Sequence, residues 1–130
     1  MARPASKHPT KLELEILKIL WRDGPANVRA VRDALAVSRD LAYTSVMTTM
    51  NIMTKKGFLR RSKDGPTWVY HPRVTQKATS RRMLGDLVDR LFDGSTALAM
   101  TNLLETSDIN RDELEKLRAM LIKKAQEESA

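Results

Sequence analysis

The stretch from Leu41 to Gly57, LAYTSVMTTMNIMTKKG, constrains this chain most, because it reads as a helix with one buried face and one polar, nearly uncharged face. At about 100° per residue, Val46, Met50 and Met53 fall in one narrow sector, with Ala42 and Thr49 on its flank. That sector must face a core. On the opposite side stand Thr44, Thr48, Asn51 and Lys55, with Ser45 and Met47 at the margins. A helix face that needed only solubility would carry Glu and Lys pairs. Hydroxyls, an amide and a flexible thioether can instead hydrogen-bond base edges or touch thymine methyl groups. Lys55 and Lys56 close the helix before Gly57, where cations suit both the C-terminal dipole and a phosphate backbone. The stretch is therefore read as a recognition helix.

The residues before it supply two supporting helices. Thr10-Lys11-Leu12-Glu13 has the form of a capping box, in which each side chain satisfies a backbone amide of the other residue. The helix it starts draws its apolar face from Leu14, Ile16, Leu17, Leu20 and Trp21, and Gly24-Pro25 stops it. Asn27 is an N-cap for a shorter helix to about Ala36, with Val28, Val31 and Leu35 turned inward and Arg29 and Arg32 outward. Val37 to Asp40 then turns the chain into the third helix, which completes a helix-turn-helix.

After Gly57 the period changes from helical to alternating. Phe58 to Lys63 and Thr67 to His71 are strand-like, and Asp64-Gly65-Pro66 between them is a turn signal, so a β-hairpin is expected. Arg60, Arg61 and Lys63 make its first strand basic. A basic hairpin directly after a recognition helix is a wing, able to follow a phosphate backbone or enter a minor groove. Alternation sends Arg60 and Arg61 to opposite faces. Trp68 and Phe58 are expected to close the core beneath the hairpin.

Beyond Pro72 the chain is helical again. Thr75 caps a long helix whose stripe is Met83, Leu84, Leu87, Val88, Leu91 and Phe92, and Gly94 breaks it. A short apolar helix, Thr96 to Leu104, follows, and Leu114, Leu117 and Leu121 mark a last helix to about Gln126. Either these helices pack back on the winged helix or they meet a second copy of themselves. The width of the stripe favours the second copy, since such a surface is not tolerated on a soluble monomer. The expected fold is thus mainly α with a small β-hairpin. A winged helix-turn-helix DNA-binding domain occupies residues 1–74 and a C-terminal three-helix dimerisation region residues 75–130.

Charge separates the same two parts. Residues 1–77 hold 15 Lys/Arg against 6 Asp/Glu, whereas residues 78–130 hold 8 against 10. A polyanion-binding front is implied, with a back made for another purpose. The 130 residues contain no cysteine, which excludes disulfides, cysteine-type zinc sites and thiol catalysis. The two histidines, His8 and His71, have no cluster of carboxylates near them in sequence, so neither a metal site nor a general base is composed, and no cofactor is expected. Asp86, Asp89, Glu113 and Glu115 alternate with cations along solvated helix faces. The basic start MARPASKHPTK leads into no continuous apolar run and is read as neither leader nor anchor, and no later run is long enough to cross a membrane. A cytoplasmic protein is expected.

The same fold could serve protein contacts or RNA. An RNA reader of single strands wants exposed aromatics for stacking, and Tyr43 is the only one on the helix, placed where its hydroxyl can meet a phosphate or its ring can pack. Met47 is equally a base contact or core filler. Duplex DNA fits the hydroxyl-rich face better.

With these residues in place, the chain resembles the penicillinase-repressor family of bacterial transcription regulators, the BlaI/MecI type, from Leu12 to the last helix. The most specific piece is Arg39-Asp40-Leu41-Ala42-Tyr43-Thr44-Ser45-Val46-Met47-Thr48-Thr49, followed by Lys56-Gly57-Phe58-Leu59 and the wing. Glu13 to Leu17 leading to Leu20-Trp21, and Tyr70 with Pro72, are also family-like. The resemblance implies a homodimer that holds a palindromic operator and blocks transcription, with Arg39 joining the DNA-binding residues. It also implies inactivation through a membrane metalloprotease sensor and cleavage in the dimerisation part, where Asn102-Leu103 stands at the place of the family's Asn-Phe bond. Ile52 stands where Arg is common in the family, and the cysteines by which the copper-sensing branch binds metal are absent.

Overall fold

A computed structural model of the chain describes residues 8–129. The basic N-terminal segment read as neither leader nor anchor lies, through residue 7, outside the described residues. In chain order the elements are α1 (Lys11–Asp23), α2 (Val28–Leu35), α3 (Tyr43–Lys56), β1 (Leu59–Asp64), β2 (Thr67–Pro72), α4 (Gln76–Leu91), α5 (Thr96–Thr106) and α6 (Arg111–Ser129). They fall into two compact units, one ending at Leu84 and the other beginning at Gly85, so the boundary lies within α4.

Local signals set the helix starts. Thr10 Oγ1 accepts from the Glu13 amide at 3.2 Å, and Glu13 Oε1 accepts from the Thr10 amide at 2.8 Å, the reciprocal box expected of that spacing. The Asn27 side chain accepts from the Ala30 amide at 2.9 Å, and Thr75 Oγ1 caps the Ala78 amide at 3.1 Å. The start of α3 differs from the expectation. Ala42 is its N-cap, exposed and without a side-chain bond, while Leu41 packs on the core from outside the helix. Gly57 ends α3 at φ 88°, a left-handed conformation that costs glycine little, and its amide returns to the carbonyls of Met53 and Thr54.

The first unit owns a continuous core of Ile16, Leu17, Ile19, Leu20, Val28, Val31, Leu35, Val46, Met50, Met53, Phe58, Leu59 and Tyr70. Each such side chain removed from water contributes about 1.5–3 kcal/mol before the entropy of ordering it. Leu14, expected on the apolar face of α1, is only half-buried, and Ile19 takes its place. Trp21 lies at the edge of the core, where its indole N–H donates to the Val74 carbonyl at 2.9 Å.

The hairpin pairs Leu59 with Pro72, Arg61 with Tyr70 and Lys63 with Trp68 on one face, and Arg60 with His71 and Ser62 with Val69 on the other. Gly65, at φ 60°, opens a two-residue turn that Pro66 completes. Tyr70 also exchanges backbone hydrogen bonds with Ala26, at 2.8 and 3.2 Å, which ties the α1–α2 connection to the wing. The expectation that Trp68 closes the core is overturned. Trp68 is 39% exposed and Tyr70, two residues on and on the same face, is the buried aromatic at 1%. Only the residue nearer the base of the hairpin reaches the helices.

One buried charge has no signal in the sequence pattern. Glu13 is 3% exposed, and both its carboxylate oxygens take the Lys56 ammonium, at 3.0 and 3.1 Å. Lys56, read with Lys55 as suited to a phosphate backbone, therefore points into the fold, and the pair fastens the first turn of α1 to the last turn of α3.

The second unit is built differently. Beyond Leu84, Ala99 is the one buried apolar residue among those described, and α6 buries none of its residues. Leu87, Leu91, Leu98, Leu103, Leu104, Leu114, Met120, Leu121 and Ile122 are all exposed, while Val88, Phe92 and Leu117 are half-buried. In the α4 stripe Met83 is half-buried and Leu84 exposed, and α4 ends at Leu91, so that Phe92 lies just past it.

Breaking one side of the buried ion pair should be costly. Lys56→Met strands the Glu13 carboxylate and is expected to lower the unfolding free energy by on the order of 3 kcal/mol, whereas Glu13→Leu with Lys56→Met should recover part of it. Urea unfolding of the three proteins measures both.

Candidate nucleic-acid interface

The exposed face of α3 follows from its buried one. With Val46, Met50 and Met53 fully inside, Thr44, Thr48 and Lys55 lie opposite, and all three are exposed, as are Ser45 and Ile52 at the flank. Thr49, on the same flank but nearer the buried sector, is half-buried and returns its hydroxyl to the Ser45 carbonyl at 2.9 Å. Lys55 and Lys56 are neighbours with opposite fates, because a helical step of about 100° carries one to solvent and the other to Glu13.

Three of the expected residues are engaged within the fold. Arg39 Nε lies 2.6 Å from Glu15 Oε2, with both side chains about one-third exposed, so this guanidinium braces the turn before α3 against α1. Met47 is half-buried and packs against the core. Asn51 Oδ1 accepts the Tyr70 hydroxyl at 2.7 Å and lies 3.4 Å from Arg61 Nη1, which couples the middle of α3 to the wing.

On the wing, Arg61 and Lys63 share the Trp68 ring, 4.3 and 4.7 Å from its centroid. Such contacts contribute about 0.5–1 kcal/mol at an exposed site, enough to orient the two cations and too little to withhold them from a phosphate. Arg60 stands on the opposite face beside His71, whose Nε2 is 2.9 Å from the Ser62 hydroxyl. Between wing, α3 and α2 runs an open groove of about 620 Å³ whose walls include Arg29, Arg32, Tyr43, Met47, Asn51, Arg61 and Trp68. Tyr43, 44% exposed, presents its ring to that groove.

Sequence reasoning turns Arg29 and Arg32 outward without including them in the site. Their i, i+3 spacing puts them on one face of α2, and that is the available signal. That this face borders α3 and the wing is a matter of helix packing that spacing does not encode.

No group of three or more His, Asp or Glu among the described residues is placed to hold a metal ion, and no described helix is long and apolar enough to cross a membrane. What the first unit offers is a polar helix face, a basic wing and a basic α2 edge around one groove. This is the apparatus of a winged helix-turn-helix DNA-binding regulator.

Comparison with known proteins gives the class its family. A family model described as "Penicillinase repressor" matches residues 9–123. The chain is 32% identical over 112 residues to the transcriptional regulator BlaI of Mycobacterium tuberculosis, covering 85% of this chain and 80% of that one. It is 25% identical over 112 residues to the methicillin resistance regulatory protein MecI of Staphylococcus aureus, covering 86% and 91%, and 24% identical over 109 residues to the penicillinase repressor of Bacillus licheniformis, covering 84% and 85%. The chain belongs to the penicillinase repressor family, and is a transcriptional repressor of the BlaI/MecI type rather than an enzyme.

Proposed function

We propose that the protein acts in the cytoplasm as a homodimer on a palindromic operator, with α3 in the major groove and the wing on the backbone beside it. The observation that carries the reading is the face of α3: Thr44, Ser45 and Thr48 are exposed and uncharged, with the cation Lys55 on the same helix and Arg61 and Lys63 on one face of the wing. Thr44, Ser45, Thr48 and Asn51 read bases, and Met47 fills the margin of that contact. Tyr43, Lys55 and the wing cations hold phosphates, joined by Arg29 and Arg32 from the groove. Arg39 positions the turn before α3 from its pair with Glu15.

The dimer is argued from the second unit. The unit that begins at Gly85, with one buried apolar residue among those described, cannot offset the cost of ordering three helices by itself. The stripe of Met83, Leu84, Leu87, Val88, Leu91 and Phe92, together with Leu114, Leu117 and Leu121, is covered by the same surface of a second copy. A two-fold dimer presents two α3 helices to two half-sites.

Repression is relieved by cleavage at Asn102–Leu103, following a membrane metalloprotease sensor. The bond lies in α5, and both residues are exposed, Leu103 at 56%. A protease needs an extended substrate, and α5 has reasons to open. Asp93 at φ 51° and Gly94 at φ 81° break the chain before it, Ser107 is extended after it, and Thr101, Asn102 and Thr106 bend their side chains back to the carbonyls of Ala97, Leu98 and Asn102. A cut detaches α6 from the stripe on α4. Each winged helix then binds its half-site alone, and the effective concentration gained by linkage, roughly 10² to 10⁴ in affinity, disappears while every residue that meets DNA stays intact.

DNA binding, sedimentation and immunoblotting test these steps. Arg60→Ala or Lys63→Ala should weaken binding to all duplexes alike and flatten the salt dependence by about 0.9 for each phosphate no longer neutralised. Thr48→Ala should cost on the order of 1–3 kcal/mol on operator and little on random DNA, and equal losses on both would remove base reading from that residue. In sedimentation, the full chain is expected to be a dimer at micromolar concentration and the Leu87→Asp, Leu91→Asp variant a monomer whose front unit stays folded; a monomeric full chain overturns the dimer. Immunoblots during cell-wall stress should show the chain shortened as transcription rises, and derepression with an intact chain would refute cleavage.

A further inference from the structure

Asn51 lies on the groove-facing side of α3, yet its amide oxygen is already spent. The Tyr70 hydroxyl donates to Oδ1 at 2.7 Å, and Arg61 Nη1 donates to the same atom at 3.4 Å. The two ends of a side-chain amide are alike in shape, and partners decide which end is which. Here the guanidinium decides, since it carries donors only; a flipped amide would set N–H against N–H. Tyr70 is 1% exposed, with its ring in the core and its backbone paired to both Arg61 and Ala26, so its hydroxyl cannot swing away. What Asn51 has left for a ligand is its Nδ2 donor pair.

We infer that Tyr70 fixes Asn51 as a donor-only reader, so that the base pair facing Asn51 in the major groove is selected as G·C over A·T. The inference rests on the proposed entry of α3 into the major groove. An unrestrained asparagine recognises adenine with both ends of its amide, the oxygen accepting from N6 and the nitrogen donating to N7. With the oxygen occupied, adenine N6–H₂ meets no acceptor, and its desolvation goes uncompensated. Guanine presents N7 and O6 side by side, both acceptors and both suited to the two Nδ2 hydrogens. Tyr70 is a positioning residue in this scheme: it acts on specificity through Asn51 while buried beneath the interface. Arg61 assists from the wing, so the wing takes part in base choice as well as in backbone contact.

The test is selection from a randomised duplex library with the full chain, in parallel for the unaltered protein, Asn51→Ala and Tyr70→Phe. Asn51→Ala identifies the base pair in question as the one whose preference disappears. The unaltered protein is expected to hold G·C there, and Tyr70→Phe, which keeps the ring and drops only the hydroxyl, should shift that pair toward A·T by roughly tenfold while other positions keep their preferences. An A·T preference in the unaltered protein overturns the inference whatever the variant does. So does an Asn51→Ala profile that loses no position, or a Tyr70→Phe profile that is uniformly weaker with unchanged preferences, the result a purely structural tyrosine would give. Failure of the unaltered protein to enrich any sequence would instead strike the recognition-helix reading itself, and the inference with it.

Discussion

The hydrogen bond from Tyr70 to Asn51 is the interaction on which the geometry of the front unit turns. Tyr70 belongs at once to the wing, through its pairing with Arg61, to the α1–α2 connection, through Ala26, and to the core, through its ring. A buried hydroxyl left without a partner costs about 1–3 kcal/mol, so Asn51 is needed by Tyr70 as much as it is held by it. Holding one side chain of α3 reinforces the rotation that its buried stripe of Val46, Met50 and Met53 sets, and rotation decides which residues face outward. The pair of Glu13 and Lys56 does the corresponding work at the other end, anchoring the last turn of α3 to the first turn of α1.

Charge in the front unit is divided between structure and surface, and the count alone does not show the division. Lys56 and Arg39 are spent on Glu13 and Glu15, the two carboxylates that α1 turns toward the rest of the unit. The other cations of this unit near α3 are Lys55 on the helix, Arg60, Arg61 and Lys63 on the wing, and Arg29 and Arg32 on α2, of which Arg32 also meets Asp33 at 3.4 Å. Trp68 serves this distribution: an exposed aromatic ring in contact with two cations orients them on the wing at little energetic cost. The uneven charge of the chain therefore becomes a basic rim around a nearly neutral helix face.

The two units differ in self-sufficiency. The front has a core drawn from three helices and both strands, whereas the back exposes large apolar side chains along α4, α5 and α6. Helices are stabilised mainly by the faces they bury, so the proposed second copy would complete the back unit as well as pair the two DNA-reading faces. The proposed regulation by cutting α5 suits that arrangement, because it would act on assembly and leave the reading surface untouched.

Sequence alone determined the elements and their punctuation. The Thr10–Glu13 box, the Asn27 and Thr75 caps, the stop at Gly57 and the Gly65-Pro66 turn are local chemistry between residues a few positions apart, and the buried stripe Val46, Met50 and Met53 is a matter of period. The family was legible in the same stretch. Only tertiary structure decided which polar residues on the favoured faces are spent inside the fold. Lys56 meets a carboxylate 43 positions away and Asn51 a hydroxyl 19 positions away, and neither partner can be read from the helix that carries the side chain. Trp68 and Tyr70 show the same limit on a strand: alternation places both on one face, but depth along the hairpin, set by how the wing docks on α3, sends one to solvent and the other to the core. Periodicity encodes direction about an axis, whereas a partner depends on what other elements bring to that direction.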